Sequence, residues 1–170
     1  MRFVPYLYDS ENLRVSVQID AMSQEDAWRT TKEPLWQTDW TSSYLQSGRF
    51  DCFAVKRGDE LIALGAYEIQ KNFLVVHIVY MEAGPESNPT ITLNGRKYHG
   101  IGSLLIAYGI KLSIDNGFGG DVVLRAKTKE LEEHYIRDFG AVRLPAMDTF
   151  APRLMIADEA AKELFFRYLE

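Results

Sequence analysis

The spacing of apolar residues changes at Gly100, and this change constrains the fold more than any other feature of the sequence. Between residues 49 and 83, three segments alternate or are rich in β-branched and aromatic residues, which predicts antiparallel strands joined by tight turns. After Gly100 an apolar face recurs at helical spacing, and the short apolar segment 121–126 follows. Residues 73–126 are therefore predicted to form a strand–helix–strand crossover, which is right-handed in nearly all proteins.

The flanking segments predict the remaining elements. A strand is expected at 13–21, helices at 23–31 and 38–48, and a third helix at 129–139 that ends before Gly140. Two late strands and a final helix complete the chain. The predicted fold class is α/β (α+β), with a mixed, mostly antiparallel sheet of six to seven strands and helices on both faces. We expect a single domain spanning residues 1–170.

Composition narrows the function classes. The chain has 170 residues and a net charge of −5, which argues against a broad nucleic-acid surface and suits either solubility or a cationic substrate. Cys52 is the single cysteine, so no internal disulfide forms, and it is predicted to be a buried structural thiol. The three histidines show no metal-ligand spacing, so no metal is predicted. No signal peptide or membrane span is expected, and we predict a cytoplasmic protein.

The segment 95–102, "GRKYHGIG", is predicted to be an anion-binding turn. It follows a central strand and begins a helix, where main-chain N–H groups lack partners and the helix dipole adds positive charge. Gly100 and Gly102 let an anion approach the backbone, and Arg96 and Lys97 add formal charge. The alternative is a tight turn that only allows close helix–strand packing.

The residues Lys97-Tyr98-His99-Gly100-Ile101-Gly102, followed by "SLL", resemble the Q/R-x-x-G-x-G/A motif of the GNAT family of acetyl-coenzyme A-dependent N-acetyltransferases. Lysine in the first position departs from that motif. The resemblance implies acetyl-coenzyme A as co-substrate, with its diphosphate held by backbone amides. The residues it assigns to this role are Arg96, Lys97, Tyr98, His99, Gly100, Ile101, Gly102 and Ser103.

The resemblance also extends to "ELEEHYIRDFGA", residues 130–141. It implies that Tyr135 protonates the departing thiolate, as a phenol that is protonated at neutral pH. With a shorter spacing to Gly140, Ile136 would take that place. The family often has asparagine just after the strand predicted at 121–126. This chain has Thr128 or Lys129 there, so a coenzyme contact is not expected from that position. In the family, backbone amides of the strand before the anion-binding turn polarise the thioester carbonyl. Here the resemblance points to the amides of Val79, Tyr80 and Met81.

A base must take the proton of the attacking amine. Glu82, at the end of the central strand, is the first candidate, and His77 is the second. The two-residue period of a strand places them on opposite faces unless a bulge intervenes. The resemblance implies an acceptor pocket around Trp36, Trp40 and Asp148, although aromatic residues there more often belong to a core. A further hypothesis places Glu86, in the irregular segment 83–95, opposite a cationic amine.

The sequence therefore predicts an N-acetyltransferase that acts on a primary amine of a small molecule or peptide. Two alternatives stay open. One is a coenzyme A-binding or protein-interaction module with weak catalysis or none. The other is a toxin-like acetyltransferase acting on aminoacyl-tRNA, which the acidic balance disfavours because nucleic acid needs a basic patch. The late strands and the final helix would also suit a homodimer.

Overall fold

The computed structural model describes residues 2–92, 95–145 and 152–170. Its helices are α1 (Gln24–Arg29), α2 (Ile101–Asp115), α3 (Lys129–Phe139) and α4 (Asp158–Phe166). Its strands are β1 (Tyr6–Asp9), β2 (Arg14–Ser16), β3 (Gln18–Ala21), β4 (Asp51–Arg57), β5 (Glu60–Gln70), β6 (Val75–Ala83), β7 (Tyr98–His99), β8 (Val122–Arg125), β9 (Val142–Arg143) and β10 (Arg153–Ile156).

The main sheet has seven strands in the order β3-β4-β5-β6-β8-β10-β9. All neighbouring pairs are antiparallel except β6 and β8, which are joined through α2. Helices α2 and α4 cover one face through a large apolar core, and α1 contributes Ala27 to a second core on the other face. The predicted mixed, mostly antiparallel sheet with helices on both faces is confirmed. The predicted crossover between residues 73 and 126 is confirmed as well.

A second, three-stranded sheet has the order β2-β1-β7. The predicted strand 13–21 is divided between the two sheets, because Val17 lies between β2 and β3 and donates its N–H to the Pro5 carbonyl at 3.2 Å. Strand β1 was not predicted. It pairs with β7 through Tyr8 and His99, so the N-terminal part of the chain lies beside the turn that precedes α2.

The predicted helix at 38–48 is wrong, because this segment forms successive turns. Asp39 accepts hydrogen bonds from both the N–H and the hydroxyl of Thr41, at 2.9 and 2.5 Å. Trp40 is fully buried and directs its indole N–H away from the local backbone. Such side-chain hydrogen bonds compete with the helical pattern, and they hold the connection in turns.

Helix α1 begins as predicted, with a capping box. The hydroxyl of Ser23 accepts from the N–H of Asp26 at 3.0 Å, and the Asp26 carboxylate accepts from the N–H of Ser23 at 2.9 Å. The other Asp26 oxygen lies 2.7 Å from the ammonium of Lys56. Asp26 is 2% exposed, so this ion pair fixes the short helix to strand β4.

A β-bulge lies in the middle of β6. Ala66 pairs with Tyr80 and Tyr67 pairs with Ile78, so Val79 has no partner on β5. The bulge reverses the alternation of side chains, and Ile78 and Met81 consequently pack on the same core. Glu82 therefore lies on the same face as His77. The two-residue period would place these two side chains on opposite faces, and the bulge is the exception under which they share one.

Candidate functional site

A cavity of about 480 Å³ lies at the carboxyl end of β6, between the start of α2 and one face of α3. The described residues between 84 and 98, called segment 84–98 below, form another of its walls. Nine of the site residues predicted from the sequence line it: Met81, Glu82, Arg96, Tyr98, Gly100, Ile101, Gly102, Ser103 and Tyr135. The fold thus brings the predicted anion-binding turn and the predicted acid to one place.

The start of α2 presents unpaired backbone donors to this cavity. Gly100 precedes the helix with φ of 88°, a left-handed conformation that favours glycine. The first helical hydrogen bond runs from the Leu104 N–H to the Gly100 carbonyl at 3.0 Å. In the described structure no side chain caps the helix start. The N–H groups of the first turn, together with the helix dipole, therefore suit an anion.

Gly102 stands apart from the eleven other glycines of the chain. Each of those either has a positive φ or has a neighbour against the place of a Cβ, as at Gly109, where Ile78 would lie 3.0 Å away. Gly102 has neither, since no heavy atom lies within 4 Å of its Cβ position. Glycine in a helix costs roughly 0.5–1 kcal/mol relative to alanine. Packing within the described chain gives no reason for this residue.

Four of the predicted coenzyme-binding residues do not line the cavity. Lys97 turns its ammonium away, to Glu60 at 2.5 Å and to Glu86 at 3.5 Å. His99 lies in β7, paired with β1. Val79 and Tyr80 pack their side chains on the second core.

The backbone of Val79, Tyr80 and Met81 is nevertheless open on one side. Strand β8 pairs with β6 only at Val76, His77 and Ile78, whereas β5 stays paired with β6 as far as Ala83. Beyond Ile78 the two parallel strands separate. Among the described residues no strand covers that edge of β6, so its main-chain groups face the gap next to the cavity.

Tyr135 lines the cavity, and Ile136 does not. The side chain of Tyr135 is 8% exposed, whereas Ile136 is 43% exposed on the outer surface of α3. Burial raises the pKa of the Tyr135 phenol above its ordinary value. No group in the described part of the chain hydrogen-bonds to its hydroxyl. A protonated, unengaged phenol therefore lies at the wall of the cavity.

Glu82 is held by three N–H donors from the connection between α1 and β4. Its oxygens accept from the backbone of Gln37 at 2.6 Å and of Thr38 at 3.2 Å, and from the Trp40 indole at 3.0 Å. The residue is 8% exposed. A carboxylate has about four lone-pair sites, so these three donors leave one open, and Glu82 lines the cavity. Glu82 both anchors this connection and presents a negative charge to the site.

The other candidates from the sequence lie outside the cavity. Burial lowers the pKa of His77, which lies opposite Glu68 nearer the start of β6. Trp40 belongs to the second core, while Trp36 and Glu86 line a smaller cavity of about 350 Å³ on the other side of segment 84–98. Thr128 caps α3 through the Leu131 N–H. Asp148 lies outside the described residues.

Sequence analysis missed several residues that the fold brings to the site. Gln37 lines the cavity and joins the segment 84–98, with its amide bonded to Thr90 at 2.6 Å and to Asn88 at 3.2 Å. His134 lines the α3 wall and bonds Asp138 at 2.5 Å. Only the position of His134 beside Tyr135 gave a signal in the sequence.

Residues 2–92, 95–145 and 152–170 contain no group of three or more His, Cys, Asp or Glu side chains arranged to hold a metal ion. None of the helices described above has the length and apolar character needed to cross a lipid bilayer. Burial raises the pKa of the half-buried Cys52 to about 11, which keeps this thiol mostly protonated at neutral pH.

The fold matches solved acetyltransferase structures over most of their length. AAC(6′)-Ib in complex with paromomycin and acetyl-coenzyme A aligns with a TM-score of 0.59 and 14% identity, covering 87% of this chain and 97% of that one. A putative GNAT-family acetyltransferase from Desulfovibrio desulfuricans aligns with a TM-score of 0.58 and 10% identity, over 82% and 96% of the chains. The protein has the GNAT fold.

A third GNAT-fold structure was determined with the coenzyme. The PaiA N-acetyltransferase from Thermoplasma acidophilum in complex with coenzyme A aligns with a TM-score of 0.55 and 13% identity, over 85% of this chain and 100% of that one. No protein-family model matches the sequence, and no curated protein matches it. The likeness of this GNAT-fold protein to its neighbours is therefore one of architecture.

Proposed function

We propose that this protein transfers an acetyl group from acetyl-coenzyme A to a primary amine of a small molecule or peptide. The observation that carries the proposal is Gly102, a helical glycine with open space before it, at the first turn of a helix with uncapped N–H groups. A diphosphate fits this place, because fixed backbone donors, the helix dipole and the absent side chain all favour a close anion. Arg96, on the cavity wall, adds a positive charge.

Bound acetyl-coenzyme A would supply the acetyl group as an activated thioester. The open backbone edge of Val79, Tyr80 and Met81 is the proposed source of donors to the carbonyl oxygen, since donors aimed at a developing oxyanion lower the barrier by a few kcal/mol. The amine nitrogen forms a bond to the carbonyl carbon, and the carbon–sulfur bond breaks. The phenol of Tyr135 gives its proton to the departing thiolate.

Glu82 is the proposed base. It takes the proton of the amine directly or through water, using the lone pair that its three N–H donors leave open. Its charge also suits the cationic form in which a primary amine arrives. AAC(6′)-Ib was solved with both paromomycin and acetyl-coenzyme A, and this neighbour supports a small-molecule amine as the acceptor class.

The test is calorimetric titration of the protein with acetyl-coenzyme A and with coenzyme A. Saturable binding is expected, and no binding at millimolar coenzyme would rule the proposal out. Release of the coenzyme thiol in the presence of a panel of primary amines then measures turnover. Tight coenzyme binding without turnover on any amine would favour the non-catalytic coenzyme-binding module instead.

A further inference from the structure

Two consecutive residues of the coenzyme-binding turn are held by one carboxylate from another strand. Glu60, the first residue of β5, accepts a hydrogen bond from the Lys97 ammonium at 2.5 Å on one oxygen. It accepts another from the Tyr98 hydroxyl at 2.6 Å on the other oxygen. Tyr98 is 3% exposed and the Glu60 side chain 29% exposed, so the contact is partly sheltered from water.

The same two residues are tied through their backbones. The Lys97 N–H donates to the Glu86 carbonyl at 3.0 Å, and the Tyr98 N–H donates to the Ser87 hydroxyl at 3.0 Å. Gly100, two positions after Tyr98, adopts its left-handed conformation and directs the first N–H groups of α2 into the cavity. The orientation of those donors therefore depends on where residues 97 and 98 are fixed.

Lys97 itself does not line the coenzyme cavity, because its ammonium points to the opposite side of the segment. Its charge lies next to the two carboxylates of Glu60 and Glu86, which more than offset it. The positive charge of Lys97 therefore helps to hold the turn in place and does not face the cavity. Arg96 is the basic residue of this pair that reaches the cavity.

We infer that Glu60 is a positioning residue for coenzyme binding: it fixes Lys97 and Tyr98, and through them the diphosphate-binding N–H groups at the start of α2. Lys97 acts through Glu60 and not on the diphosphate. This inference rests on the proposed function. It assigns a role to a residue about forty positions before the turn, which does not line the cavity.

The experiment compares coenzyme A with pantetheine, which lacks the diphosphate. Glu60→Gln keeps the size of the side chain and an acceptor for Tyr98 but removes the charge that holds Lys97. Calorimetry should show coenzyme A binding weakened about tenfold, the size of effect expected between residues in direct contact. Ligand-observed NMR should show pantetheine binding unchanged. Equal loss of both ligands would mean general damage to the fold and would overturn the inference.

A double-mutant cycle with Lys97→Gln tests the route of the effect. If Lys97 acts through Glu60, the double variant binds coenzyme A no more weakly than Glu60→Gln alone. Additive losses would mean that Lys97 contacts the diphosphate, and would also overturn the inference.

The matched control is Glu68→Gln, which removes a comparable contact on the same strand, to Arg49 at 2.6 Å, away from the turn. Glu68→Gln should leave the affinity for coenzyme A unchanged. If its affinity falls as much as that of Glu60→Gln, the positioning role of Glu60 is overturned. The proposed function fails separately, when the wild-type protein itself does not bind coenzyme A. Wild-type binding with full affinity in Glu60→Gln overturns only the positioning role.

Discussion

Substitutions at Gly102 should stabilise the protein and weaken coenzyme binding together. Beyond its chain neighbours and the backbone of its own helix, no heavy atom lies within 4 Å of a Cβ placed there, so a methyl group meets no packed neighbour. Replacing glycine by a better helix former is expected to add about 0.5–1 kcal/mol to the free energy of unfolding. For a chain of this length, that corresponds to a rise in melting temperature of roughly 1–4 °C.

The effect on binding should depend on the side chain. Gly102→Ala adds one methyl group and should bind coenzyme A within a few-fold of wild type. Gly102→Gln projects a longer chain into the diphosphate position, and the loss of one hydrogen bond to a charged group, about 1.5–3 kcal/mol, weakens binding roughly 10- to 100-fold. Gly102→Glu introduces a side chain of the same size as glutamine and adds charge repulsion between its carboxylate and the diphosphate. This repulsion is about 3 kcal/mol for unit charges ~5 Å apart at an effective dielectric of ~20, so binding of coenzyme A should be abolished.

Thermal melts without ligand and calorimetric titrations with coenzyme A measure the two effects independently. Ile114→Glu places a negative charge at the other, exposed end of α2 and serves as the control, with unchanged affinity expected. Normal binding by Gly102→Glu would refute the placement of the diphosphate. A large loss of stability in Gly102→Ala would refute the claim that this glycine is unexplained by packing.

Three further predictions concern the acid, the Glu82 contacts and the capping box. Tyr135→Phe should lower kcat about 100-fold or more while changing coenzyme affinity less than twofold. Because burial raises the pKa of Tyr135 above its ordinary value, wild-type activity measured by thiol release should fall only at a pH above that at which a free tyrosine ionises. Trp40→Phe removes one of three donors to the buried Glu82 and should cost about 1–3 kcal/mol in urea unfolding, and a smaller cost would mean that the indole bond is dispensable. Burial raises the pKa of Asp26, but the hydrogen bonds from Lys56 and Ser23 outweigh burial and hold that pKa below its usual value. The Asp26 carboxylate therefore stabilises the fold above about pH 4, and this contribution is lost as the pH falls through the lowered pKa. Asp26→Asn should accordingly make the free energy of unfolding less dependent on pH on the acid side.

The elements that the sequence predicted correctly are those with a strong apolar period. Helix α2 and strands β4, β5 and β6 follow from the change of spacing at Gly100, and α1 follows from the Ser23–Asp26 capping pattern. The turn at 38–48 was misassigned, because Trp40 is satisfied by Glu82, more than forty residues away. Local spacing carries no information about such a partner.

The candidate site was predictable to the extent that its residues are close in sequence. The turn 96–103 leads into α2 and Tyr135 lies on α3, and the order of these elements is visible in the chain. The bulge at Val79 has no signal in the sequence, because valine suits either a regular strand position or a bulge. The sequence therefore could not show that His77 and Glu82 share a face. Glu60 was missed because its role depends on a contact between β5 and the turn, which the strand pattern does not reveal.

The pairing of β1 with β7 has a consequence for the order in which the protein matures during synthesis. Tyr8 leaves the ribosome roughly ninety residues before its partner His99, a delay on the order of ten seconds at about 5–20 residues per second. Until then β1 has only β2 beside it, and an isolated two-stranded hairpin is marginal in water. The turn proposed to bind the diphosphate is completed when the first strand and the crossover meet. A coenzyme that binds only the finished turn would therefore stabilise a contact that the nascent protein forms only after about a hundred residues have been made.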